Sequence, residues 1–263
     1  MTNRNRGIEF VYPTRTAEIS VTGKECALRC AHCNGVFLRD IERGDPKSYL
    51  ITGGCNSEGE VPLAEHLDII RELAKDYKLI AHTGLIGERA VEEVAPFVEA
   101  VSFNFLCDDD TIREVYGLKK SAEDYIESYK ALRRHTMVYP HITIGLNGGR
   151  IVGERRAVEI LSSLGAHAVV FNVLIPARGT RYANLQPPGV EEVTGIMREA
   201  KERLRDIPIY LGCMRPGGEY REAVDQEAVR LEVDRIVLPS RSAVQLAKAN
   251  GLSIGSRDEC CIL

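Results

Sequence analysis

From residue 17 onward, short β-branched apolar runs alternate with longer stretches in which apolar residues recur at helical spacing. The strand-like runs are AEISVTG (17–23), SYLITGG (48–54), KLIAHTG (78–84) and EAVSFNF (99–105). Four more follow: HITIGL (141–146), AVVFNVLI (168–175), PIYLGC (208–213) and RIVLPS (235–240). Helix-like stretches between them cover 62–77, 121–135, 152–165 and 190–205. In 62–77, Leu63, Leu67, Ile70 and Leu73 make one apolar face. Ser121 followed three residues on by Asp124 predicts a helix N-terminus, where a carboxylate complements the helix dipole.

Eight strands, each followed by a helix, imply parallel pairing, and the economical closure is an α/β architecture of the (β/α)8 TIM-type barrel kind. The alternative is an open doubly wound sheet, but no dinucleotide fingerprint opens the first unit. GLNGGRIVG (145–153) is glycine-rich without the required spacing. No Pro/Gly/Ser-rich linker divides the chain, so one domain spanning 1–263 is expected.

Charge and composition narrow the partners. A net charge of -4 and a pI near 5.9 argue against a nucleic-acid partner held by phosphate charge. No stretch approaches the ~18 consecutive apolar residues of a membrane span. The opening MTNRNRGIEF has positive charge without an apolar h-region. A cytoplasmic protein is expected, and eight cysteines in a reducing compartment point to metal or catalysis before disulfides.

Three of those cysteines fall together in the loop 24–36, which follows the first predicted strand: Cys26, Cys30 and Cys33. Cys-x3-Cys-x2-Cys can wrap three thiolates around one corner of a cubane iron–sulfur cluster, leaving the fourth iron with an open coordination position for a small molecule. The alternative is zinc with His32 or a later cysteine as fourth ligand. Structural zinc sites usually pair two Cys-x2-4-Cys knuckles, however, and no second knuckle follows.

The run resembles the signature of the radical S-adenosylmethionine (SAM) enzymes. That resemblance implies a 4Fe–4S cluster on Cys26, Cys30 and Cys33 whose open iron binds the amino and carboxylate groups of SAM. It also implies a low-potential electron donor and cleavage of SAM to a 5′-deoxyadenosyl radical that abstracts hydrogen. In that family an aromatic residue near the adenine commonly precedes the third cysteine, and His32 stands there; a polar surface histidine is the alternative. Thr52, Gly53 and Gly54 resemble the segment that contacts the methionine amino group, with Cys55 where an acidic residue is usual. Asn104 ends the fourth predicted strand, and NVLIPARGT (172–180) is similar to a stretch near SAM in biotin synthase-like members. Within it Pro176 and Arg178 are candidate cofactor contacts, Arg178 as a fork for a carboxylate, unless 176–180 is only a turn.

The remaining cysteines invite a second cluster. Cys55, Cys107 and Cys213 each fall just beyond a predicted strand, on the carboxyl rim where a barrel's active site belongs. The tail 251–263 contributes Cys260 and Cys261 and is expected to fold over the barrel mouth. An auxiliary iron–sulfur cluster on Cys213, Cys260 and Cys261 with Cys55 or Cys107 is the sharper reading; incidental thiols are the plain one. The terminal CCIL has the form of a prenylation box, but no polybasic segment precedes it.

Nearly the whole chain resembles the biotin synthase branch. In LGCMRPGGEYREA (211–223), Arg215 falls where biotin synthase carries an arginine ligand to its auxiliary cluster. The three auxiliary cysteines of biotin synthase are not matched. The regions in question read AHTG, with His82, and YPHITIG, with His141. GCMRP with the terminal ECC is similar to archaeal homologues that serve in two-component lipoyl synthases. The implied activity is sulfur insertion into an octanoyl chain on a carrier protein or peptide, shared with a second radical SAM subunit. A radical methylase or rearrangement enzyme without sulfur donation is one alternative, and a non-catalytic iron–sulfur or zinc protein another. His82, His141, Asp108 and Glu219 are candidates for hydrogen relay.

Overall fold

The computed structural model describes residues 7–263; the start of the chain read above, residues 1–6, lies outside the described residues. Ten strands form one all-parallel sheet. They are β1 (Gly7–Val11), β2 (Thr16–Ser20), β3 (Ser48–Thr52), β4 (Lys78–His82), β5 (Ala100–Asn104), β6 (Met137–Ile144), β7 (Val169–Val173), β8 (Ile209–Leu211), β9 (Arg235–Val237) and β10 (Ser253–Arg257). The row runs β2-β3-β4-β5-β6-β7-β8-β9-β1-β10. The eight expected strands are β2 to β9; β1 and β10 are additional.

Side chains on successive residues of a strand face opposite sides. Residues such as Leu79, Val101, Phe103, Phe171 and Leu211 face outward and are buried beneath the helices. Ile80, Ala100, Val170 and Tyr210 belong to a second apolar group inside the curved sheet. Strands buried on both faces are what an all-parallel sheet requires. The helix expected around 121–135 forms as Ala122–Arg133. Its capping box is present: the Asp124 carboxylate accepts from Ser121 N at 2.7 Å while Asp124 N donates to Ser121 Oγ. The stretch 62–77 breaks into a 3-10 turn, Leu63–His66, and a short helix, Leu67–Leu73. No helix of the described residues is long and apolar enough to cross a membrane.

The expected closed eight-strand ring is replaced by a partial barrel, for a reason of chain length. Only residues 12–15 separate β1 from β2, whereas adjacent parallel strands need a crossover of about a dozen residues or more. These two strands therefore cannot pair, and β1 lies between β9 and β10. The gap between β10 and β2 is bridged by the C-terminal tail. Arg15 N donates to Asp258 O at 2.9 Å, and Cys260 N donates to Thr16 Oγ1 at 2.8 Å.

The tail does not fold over the carboxyl mouth. Its contacts are with residues that begin strands: Thr16 of β2, Lys78 of β4, which pairs with Glu259, and Arg235 of β9, whose guanidinium donates to Cys261 O. Strand tilt displaces successive strands along a barrel's axis, so β10, last in the row, ends beside the start of β2. From there Cys261 and Ile262 plug the amino end from within.

Arg215 is likewise not presented to a cluster. It is 1% exposed, its Nε pairs with Asp225 at 2.6 Å, and its terminal nitrogens donate to the Gly212, Val237 and Leu238 carbonyls. Asp225 also accepts from Ser240 N at 2.7 Å. Removing one partner of a fully buried ion pair strands the other charge, at about 3–5 kcal/mol. Asp225→Ala is expected to lose stability of that order in chemical denaturation; a loss below about 1 kcal/mol would contradict a structural role for the pair.

Candidate functional site

The loop holding Cys26, Cys30 and Cys33 runs between β2 and β3 with turns but no helix or strand of its own until Ile41 bridges back to Glu18. Neighbouring segments hold it by backbone hydrogen bonds. Ala27 N donates to Cys55 O at 2.8 Å, Ala31 N to Val115 O at 2.7 Å, and Tyr182 N to Ala31 O at 3.1 Å. Asn34 Nδ2 reaches Gly179 O at 3.3 Å, tying the loop to the segment after β7.

The glycines after β3 bring a second segment against it. A Cβ on Gly54 would overlap the Glu25 carbonyl and sit 2.6 Å from Cys26 Cβ, and Gly54 N donates to Thr22 Oγ1 at 2.7 Å. A Cβ on Gly53 would lie 3.1 Å from Val61 and 3.2 Å from Thr22. Thr52 is buried, its carbonyl accepting from Val21 N at 2.8 Å. These three residues thus press strand β3 against the cysteine loop.

Cys30 keeps its proton, raised by its hydrogen bond to Cys33 and by burial; the same hydrogen bond lowers Cys33 to about 7. Cys55 is half-buried beside them and pushed up to about 12, by burial first and then by the charges of Cys26 and Cys33. His32 packs edge-on to Tyr116, ring centroids 5.5 Å apart, and burial lowers it to about 4.

Tyr116 also lines a small cleft of about 30 Å³ beyond the ends of β5 and β6, shared with Asn104, Thr111, His141 and Thr143. One wall is the glycine-rich loop 145–153. Gly145, Gly148 and Gly149 take positive φ, and the buried Glu154 carboxylate accepts from Gly145 N and Val152 N at 2.7 Å each. The segment set aside for its spacing therefore borders the site. A buried glutamate directly after three clustered glycines was the signal for it. Pro176 is half-buried, whereas Arg178 is exposed and has no ion-pair partner among the described residues.

Alternation continues upward from the apolar interior residues to a polar tier: His82, Ser102, Asn104, His141, Thr143 and Asn172. His141 Nδ1 lies 2.9 Å from Tyr139 O and 3.2 Å from Ser102 Oγ; burial first, and then the charge of His82, lower it to about 4. Asp108 and Glu219 do not join this tier. Asp108 caps a helix start, accepting from Thr111 N and Oγ1 at 2.6 Å, and Glu219 is exposed.

Cys213 and the Cys260–Cys261 pair lie near enough for their charges to act on one another. Cys213 is exposed although protein crowds round its thiol, which is raised to about 11, by that desolvation first and then by Cys260. Its loop is fixed by Met214 N donating to Asn172 Oδ1 at 3.3 Å and by Arg221 donating to Cys213 O at 3.2 Å. Cys261 keeps its proton through a hydrogen bond with Cys260, which is lowered by it. Cys107 is not with them. It is 3% exposed, and the charges acting on it are Arg156 and Glu123 of the helical layer.

No protein-family profile matches the chain. A stretch of 133 residues is 26% identical to a biotin synthase from Pelodictyon phaeoclathratiforme, covering 48% of this chain but only 38% of that enzyme. The FeFe-hydrogenase maturase HydG from Carboxydothermus hydrogenoformans superposes with a TM-score of 0.68 at 15% identity, over 95% of this chain and 68% of that one. Methylornithine synthase PylB gives 0.65 at 10% identity, over 95% and 84%. SuiB of Streptococcus suis, solved with S-adenosylmethionine, gives 0.52 at 15%, over 82% and 52%. The chain thus shares its fold with these radical SAM enzymes.

Three thiols in one loop, with no fourth ligand in the same run, suit a cubane with an open iron position. His32 Nδ1 is a buried atom without a hydrogen-bond partner among the described residues, as expected beside a site that receives another group.

Close approach at Gly54 is what sets the loop, so Gly54→Ala is expected to lose most of its iron after anaerobic reconstitution while staying folded. Overpacking of this kind costs about 1–3 kcal/mol. Iron per chain, measured beside circular dichroism, checks this; full iron loading would contradict it.

Proposed function

We propose that the chain is a radical SAM enzyme in which Cys26, Cys30 and Cys33 hold the SAM-binding cluster and Cys213, Cys260 and Cys261 hold an auxiliary cluster that donates sulfur to an octanoyl chain. When bound, the first cluster supplies a low-potential electron and one open iron position. The chain's own residues then divide the work. His32, packed on Tyr116, offers a ring beside the cysteine loop for an adenine to meet, and exposed Arg178 offers its guanidinium to a carboxylate. The apolar lower interior excludes water beneath the reacting centre.

The observation that supports the sulfur-insertion reading is that the tail carries Cys260 and Cys261 to the barrel, within range of the charge of Cys213 from a distant segment. The octanoylated carrier, a second radical SAM subunit and an electron donor belong to this reading. A second reading has its own support. The polar tier of His82, Ser102, His141 and Asn172 suits a small polar substrate better than an alkyl chain, and so favours a rearrangement. PylB, with a similar fold, is a methylornithine synthase.

Iron and sulfide per chain after anaerobic reconstitution separate the two. Sulfur insertion predicts about eight irons in the intact protein and about four when Cys213, Cys260 and Cys261 are all replaced by Ala. About four irons in both proteins would remove the auxiliary cluster and leave the rearrangement reading.

A further inference from the structure

We propose that Cys55 is a displaceable fourth protein ligand of the Cys26–Cys30–Cys33 site, closing its open iron position until SAM takes it. This rests on reading the three cysteines as a cluster site.

Cys55 is joined to the cysteine loop on its main chain and faces the same site with its side chain. Its carbonyl accepts from Ala27 N at 2.8 Å, and the residue before it, Gly54, touches Cys26 and Glu25 so closely that no Cβ fits between. On its other side Gly84 leaves room: a Cβ there would come within 3.4 Å of Cys55 Sγ. Cys55 thus lies beside the cysteine loop, near enough for Cys26 and Cys33 to act on it by charge and for it to act on Cys30 and Tyr116. Tyr116 meets His32, whose Nδ1 is buried without a partner among the described residues. No other cysteine joins Cys55 there: Cys107 packs into the helical layer, and Cys213 and the Cys260–Cys261 pair act on one another.

An iron with an open position beside a fourth thiolate will take it, because the thiolate is the ligand form of cysteine and a fourth ligand closes the site. Ligand exchange then balances without electron transfer. The iron–Cys55 bond breaks, and bonds form from that iron to the amine nitrogen and a carboxylate oxygen of SAM. The proton shed as the SAM ammonium becomes an amine goes to the departing Cys55 thiolate. Binding against a competing internal ligand weakens apparent affinity by the fraction of sites the ligand leaves open.

The test uses the full chain with Cys213, Cys260 and Cys261 replaced by Ala, so that only the first site is read, reconstituted anaerobically with iron-57. Before SAM is added, Mössbauer spectra of this parent are expected to show four irons in equivalent thiolate environments; SAM should convert one of them to a distinct site. Adding Cys55→Ala should give the distinct iron without SAM and SAM binding about tenfold tighter, by equilibrium titration. A distinct iron already present in the parent before SAM would overturn the proposal while leaving the cluster reading intact. A parent that loads no four-iron cluster at all would overturn both. The parent spectra decide the matter even if the Cys55→Ala variant does not fold.

Discussion

The loop from Cys26 to Cys33 has little structure of its own, and its shape is imposed by the segments around it. Backbone hydrogen bonds from Ala27 to Cys55, from Ala31 to Val115 and from Tyr182 to Ala31 attach it to the segments that follow β3, β5 and β7. Gly54 completes the attachment by letting two main chains meet without a side chain between them. Three thiols separated by three and two residues could otherwise adopt many arrangements. Held from three sides, they present one.

A second constraint shapes the rest of the molecule. The four residues between β1 and β2 are too few for parallel neighbours, so the sheet cannot close on itself there. The tail fills the opening, and in doing so carries Cys260 and Cys261 into the barrel from its amino end while Cys213 enters from the carboxyl side. Closing the gap also sets the positions of Cys260 and Cys261. Arg235 takes part in both, donating to Cys261 O and lying over the Tyr210 ring at 4.6 Å.

Much of the fold was legible because it is written in side chains. β2 to β9 announce themselves through alternating and β-branched apolar residues, and the Ser121 cap through its carboxylate three residues on. β10 was not legible: four of its five residues are exposed, Ile254 is its lone apolar residue, and backbone pairing with β1 makes it a strand. β6 was read four residues short because Pro140 lies within it, and proline argues against a central strand. At the site, the cysteine triad was plain from spacing. The tail's position was not, since strand tilt, which no local pattern encodes, decides which end of the barrel it reaches. Arg215 was misplaced for a related reason. Its sequence neighbours give no sign that Asp225, ten residues on, buries it in an ion pair.

On the proposed function the three-cysteine loop holds a cluster that binds and cleaves SAM. The direct test is to quantify 5′-deoxyadenosine and methionine released from SAM by the anaerobically reconstituted, reduced protein, alongside the variant with Cys26, Cys30 and Cys33 replaced by Ala. Both products are expected from the intact protein and neither above background from the variant. Intact protein carrying its full iron content yet releasing no 5′-deoxyadenosine, or equal release by the variant, would contradict it.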